Sequence, residues 1–304
     1  MDIFTLIKNL EKPGSKADVI LDTDAYNEID DQFAIAYMIG NSEKLNVKAI
    51  YAAPFLNGKV KTPEEGMEKS YDEILKVISL IDGADSINVY RGSNRYLPDE
   101  KTPVASAAAE HLSKLAMEYG PDKPLYVAAI GAITNIASAI LMNPKIIENI
   151  VVVWLGGNAL HWNDNREFNL HQDIAAARII FGCGVPFVQL PCMGVVSSFT
   201  ISEAELNQWL IGKNRICDYL ARNTISEASS YAGGKPWTRV IWDVTAIAWL
   251  LGGDFISDRL ERSPIPEYDG HFAYDSTRHF MKYAFFVNRD ALAADLFEKL
   301  LALG

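Results

Sequence analysis

Six short, mostly continuous apolar runs recur along this chain, and most are followed by a longer stretch with helical spacing. The runs are residues 18–22, 47–53, 87–90, 125–130, 150–155 and 186–190; the helical patterns cover 31–39, 64–82, 103–118, 133–142 and 173–181. A strand that is apolar on both faces has to be covered on both faces. Alternating helices supply that cover. The pattern therefore predicts an α/β fold, a Rossmann-like open, mainly parallel sheet flanked by helices. Residues 3–10 have the spacing of a short amphipathic helix ended by Pro13-Gly14. After about residue 195 the pattern changes. Residues 202–229 and 243–251 read as helices around an aromatic loop, SSYAGGKPWTRVIW, and the chain closes with strand-like HFMKYAFFV and helical DALAADLFEKLLA. With no linker, repeat or low-complexity tract, one domain over residues 1–304 is expected.

At 304 residues the chain is long enough for a sizeable core. Its formal net charge of −11 argues against nucleic-acid polymers and anionic membranes as partners, since both need basic surface. A neutral small molecule remains open. Cys183, Cys192 and Cys217 match no zinc spacing and read as reduced, buried thiols. The N-terminus lacks the charge and apolar pattern of a signal peptide, and no apolar run reaches membrane-spanning length, so a cytoplasmic protein is expected.

Open parallel sheets bind ligands beyond the carboxyl ends of their strands. That rule selects Asp22 and Asp24, the Asn57 loop, Ile130-Gly131, Leu155-Gly156-Gly157 and the loop after Leu190. The first of these is the most charged. Asp22, Asp24, Glu28, Asp30 and Asp31 fall within ten residues, and no Lys or Arg appears from Ala17 to Glu43. One or two of these acids are explained by capping a helix and complementing its dipole. Five are not. Crowded carboxylates at a strand end repel and lose solvation, and a divalent cation with a preference for hard oxygen ligands relieves both costs.

This segment resembles the nucleoside hydrolases, the calcium-dependent inosine-uridine preferring N-ribohydrolases, whose hallmark is a strand followed by D-x-D-x3-D-D and a helix. Here Asp22-Thr23-Asp24 is followed by AYNEI and then Asp30-Asp31, the longer spacing of the variant NEIDD form. Further segments match in order: VAAIGAITNIA (127–137), VVVWLGG (151–157), Glu167-Phe168-Asn169, and Trp242-Asp243 before the apolar helix VTAIAWLL. The resemblance runs from about residue 17 to 300.

The resemblance implies the nucleoside hydrolase fold and hydrolysis of the N-glycosidic bond of a ribonucleoside or related riboside. It implies one Ca²⁺ held by Asp24, Asp31, Asp243 and the carbonyl of Ile130, with Asp24 also the general base toward water. Asp30, Asn57, Glu167 and Asn169 would bind the sugar, Asn57 only after a one-residue shift of APFLNGK. Asp22 would support the loop, and Glu28 falls in the two-residue insertion. Trp242 replaces the His that many relatives carry; Trp is no acid at neutral pH, but it can stack on a purine. His161, Trp162, Tyr231, Trp237 and Arg239 lie in loops able to reach the base, His161 being the one counted as a substrate contact. A homodimer or homotetramer is expected. Two other readings stay open: a nucleoside- or ribose-binding protein without turnover, and a metal-dependent phosphatase of the haloacid dehalogenase type, which also opens with D-x-D but carries Thr or Val where this chain has Tyr26.

Overall fold

A computed structural model describes residues 1–304. Its strands are β1 (Ala17–Thr23), β2 (Leu45–Ala52), β3 (Val89–Arg91), β4 (Leu125–Ala129), β5 (Ile150–Leu155), β6 (Phe187–Leu190), β7 (Thr200–Ser202), β8 (Thr238–Val240), β9 (Ile256–Arg262), β10 (Ile265–Pro266), β11 (Phe272–Ala273) and β12 (Phe280–Val287). Its helices are α1 (Ile3–Asn9), α2 (Asp30–Gly40), α3 (Pro63–Ser79), α4 (Ala107–Leu115), α5 (Thr134–Met142), α6 (Phe168–Gln172), α7 (Ile174–Gly182), α8 (Glu203–Trp209), α9 (Arg215–Ala232), α10 (Val244–Leu251) and α11 (Arg289–Leu301).

Eight strands form one sheet in the order β3-β2-β1-β4-β5-β6-β12-β9. All its pairs are parallel except β12 with β9. The apolar strands divide their side chains between two layers, as a period of two requires. On β5, Val151, Val153 and Leu155 join the core under α2, α10 and α11, whereas Val152 and Trp154 join the core under α4, α5 and α7. The expected helix-flanked, mainly parallel sheet is therefore present. The order reverses between β1 and β4, and ligands of such sheets sit at that point.

Two expectations are corrected. The stretch 202–229 is not continuous helix: α8 ends at Trp209, Gly212 turns the chain at φ +74°, and Asn214 starts α9 by accepting from the Cys217 N–H. The segment 256–262, given no strand from sequence, is the antiparallel edge strand β9; its burial falls away along its length, so it lacks a continuous apolar run. The small antiparallel pair β7–β8, with α8 and α9 between its strands, ties residues 238–240 to the segment that follows β6, just ahead of Trp242 and Asp243. No helix is long and apolar enough to cross a membrane.

Candidate active site

A cavity of about 730 Å³, counting its open mouth, lies beyond the carboxyl ends of β1, β4 and β5. Six acids line it: Asp24, Glu28, Asp30, Asp31, Glu167 and Asp243. Asp30 and Asp31 come from the first turn of α2, which is buried almost throughout. Neither acts as the cap: the N-cap position is Ile29, with no side-chain cap bond. Asp243 precedes α10 and likewise makes no capping bond. Helix capping therefore does not explain Asp30, Asp31 or Asp243. Oxygens of Asp30, Asp31 and Asp243 lie within 4.8 Å of one another, a spacing at which one cation could be held.

The electrostatics agree. Burial pushes Asp31 up to about 6, with the Thr23 hydroxyl and Asp243 holding it back by hydrogen bonding. Burial and then the charges of Asp30 and Asp31 drive Asp243 well up. Asp24 rises for the same reasons, burial first and then Asp31. Its Oδ2 is buried without a partner. Burial, then Glu28 and Asp31, also raise Asp30, against the pull of Arg239. These carboxyls are mutually destabilising as anions, and a cation would reverse that.

Asn169 gives its amide N–H groups to two strand ends, the carbonyls of Ile130 (3.1 Å) and Leu155 (3.0 Å). Its side-chain oxygen is left for the cavity. Glu167 caps α6 through the N–H groups of Asn169 and Leu170 and also accepts from Gly157 N–H (2.8 Å). Burial lifts its carboxyl, opposed by those three backbone bonds. Gly157 stands at φ +75°, where a Cβ would meet Asn165 and Gln189, so the Gly-Gly turn is required here. Asp22 faces inward, below the cavity, where Asn135 donates to its Oδ1 (2.7 Å).

Asp24, Asp30, Asp31, Ile130, Glu167, Asn169, Trp242 and Asp243 all line this one cavity. Asn57 does not. It donates to Asn27 Oδ1 (2.7 Å), and Asn27 is the residue in the wall. His161 is exposed and lines a separate depression with Leu160, Val195, Arg259, Tyr283 and Phe285. Sequence reasoning missed Asn27, Asn158 and Cys192 as wall residues. Asn27 sits inside the acidic run and Cys192 two residues after β6, so their strand-end positions were the available signal. Asn158 spends its side chain on the Asp164 carbonyl and the Met193 N–H.

An acid-walled cavity at the carboxyl edge of a helix-flanked, mainly parallel sheet defines an α/β protein with a small-molecule site able to hold a cation. A family model described as inosine-uridine preferring nucleoside hydrolase matches residues 19–283, and the chain belongs to that family. Its reaction is hydrolysis of the N-glycosidic bond of a ribonucleoside. Among similar proteins, a probable uridine nucleosidase 2 from Arabidopsis thaliana is 24% identical over 231 residues, 69% of each chain. The pyrimidine-specific ribonucleoside hydrolase RihA of Salmonella enteritidis PT4 is 25% identical over 260 residues, 77% of this chain and 79% of its own. The purine-preferring ribonucleoside hydrolase from Gardnerella vaginalis has the same fold, with a TM-score of 0.77 at 20% identity over 94% of this chain and 98% of that one.

Proposed function

We propose that this chain hydrolyses a purine-type ribonucleoside or related riboside with one Ca²⁺, held by Asp24, Asp31, Asp243 and the Ile130 carbonyl. The observation that carries this reading is the set of buried carboxylates facing one cavity, together with the unpartnered Oδ2 of Asp24. All these donors are oxygens, as a hard cation requires. When bound, calcium supplies Lewis acidity that lowers the pKa of water and a hold on ribose hydroxyls.

The chain's own groups do the rest. Asp24 accepts a proton as water adds to C1′ of the sugar. The C1′–N bond breaks with its electron pair leaving on the base, and the sugar passes through oxocarbenium character. The base takes its proton from solvent, because Trp242 has none to give at neutral pH. Asp30, Glu167 and Asn169 contact the sugar hydroxyls, and Asn57 acts through Asn27, whose side chain it orients. Trp242, half-buried in the cavity wall, stacks on the base.

The test is a panel of purine, pyrimidine and nicotinamide ribosides assayed for free ribose, with Asp24→Ala as control. Ribose release that depends on Asp24 supports the mechanism. An Asp24→Ala variant as fast as the parent ends it. A second reading, nucleoside binding without turnover, draws on Trp242 standing where an acid would serve the leaving base; tight binding with no base release favours it.

A further inference from the structure

The acidic run has no basic neighbour in sequence, but it has one in space. Arg239 Nη2 donates to Glu28 Oε2 at 2.6 Å, across 211 residues of chain. Glu28 stands two residues before Asp30. Arg239 stands four residues before Asp243, on β8. The ion pair therefore fastens together the two segments that deliver the clustered carboxylates Asp30, Asp31 and Asp243. Arg239 is also 3.7 Å from Glu227 on α9, and its guanidinium is mostly buried, with 17% of the side chain exposed. Lys59 approaches Glu227 at 3.7 Å and donates to the Asn27 carbonyl at 2.7 Å. Arg239 thus stands between two glutamates, and the group ties the loop 27–28 to α9, to the Asn57 loop and to β8.

We propose that Arg239 is a positioning residue for the cation site: through Glu28 it holds the Asp30–Asp31 turn and the Asp243 segment at ligating distance against their mutual repulsion. The proposal rests on reading the carboxylate cluster as a divalent-cation site. Outer groups that orient ligands commonly set metal affinity by about 10–100-fold. Here the sign discriminates. If Arg239 acted only as a nearby positive charge, removing it would tighten cation binding. If it acts by holding the segments, removing it loosens binding although a repelling charge has gone.

The experiment is calorimetric titration of CaCl₂ into metal-stripped protein. For Arg239→Met the expected Kd is about tenfold weaker than the parent's. Glu28→Gln, on a side chain 43% exposed, weakens it similarly, and the double variant is no worse than either single one, because one contact is lost in all three. Arg239→Lys, which keeps a charge able to meet Glu28, stays within about threefold of the parent. Circular dichroism confirms folding of each variant. Unchanged or tighter binding in Arg239→Met, or losses that multiply in the double variant, overturns the proposal while leaving the cation site intact. No calcium binding by the parent overturns both.

Discussion

Asp24 lies directly against Gly131: a Cβ on that glycine would stand 3.0 Å from Asp24 Oδ1 and 3.1 Å from the Ala53 Cβ. Gly131 is itself fixed, since the buried Trp154 indole donates to its carbonyl at 3.0 Å. The methyl group of Gly131→Ala has to displace one neighbour by a few tenths of an ångström, and the carboxylate is the freer of the two. We expect kcat to fall about tenfold, since misplacement by less than an ångström is costly to a positioned group. The melting temperature should change little. Steady-state kinetics beside a thermal melt check this, and an unchanged kcat would show that Asp24 tolerates displacement.

Asp24→Asn keeps the shape of the side chain and removes its charge and basicity. A lost general base lowers kcat by about 10²–10⁴-fold. Stability moves the other way. Burial first, then the charges of Asp31, Asp30 and Glu28, make ionised Asp24 costly in the metal-free fold, and one of its oxygens is unpartnered, so in EDTA the variant should melt higher than the parent. In excess calcium the order should reverse, because the parent gains more from the ion. Calcium at 100 times its Kd stabilises the folded parent by about 2.7 kcal/mol. Thermal melts in EDTA and in calcium test both signs.

Much of this site was legible because it follows from strand order. β1, β4 and β5 are apolar on both faces, so their centre positions, their carboxyl ends and the acids beyond them could be placed from sequence. Two expected residues lie outside the cavity, for physical reasons. His161 lies in the same polar loop as Glu167, but that loop is tied down at Asn165, whose N–H donates to the Gly270 carbonyl, and His161 ends over another depression. Asn57 follows β2 at about the expected place, yet its amide is taken by Asn27. The partner of Glu28 was invisible because Arg239 is distant in sequence, and only the antiparallel β7–β8 pairing brings it there.

Asp22 gives the metal-free protein a pH dependence of defined sign. Burial pushes its carboxyl up to about 7, opposed by the Asn135 hydrogen bond. In the unfolded chain it titrates near 4. The folded state holds the proton more tightly, so this contribution is full below about pH 4 and is lost as pH rises toward 7. The interval corresponds to roughly 4 kcal/mol. Asp22→Asn should flatten the fall in melting temperature between pH 4 and pH 7. A slope as steep as the parent's would place the titrating group elsewhere.

Trp242 and His161 make opposite predictions from neighbouring sequence expectations. Trp242 is half-buried in the cavity wall with Glu28 and Asp243, whereas His161 is exposed and lines a different depression. Stacking of a base on an aromatic ring is worth about 1–3 kcal/mol by alanine substitution. Trp242→Ala should therefore raise KM for inosine by about 5–150-fold, and by less for uridine, whose single ring offers less area to stack. His161→Ala should leave both substrates within about twofold, as a substitution away from the site does. Because Trp242 supplies no proton, the loss on Trp242→Ala should stay flat from pH 6 to pH 8. A loss in kcat that grows as pH rises would instead mean that this residue holds a group delivering a proton to the leaving base.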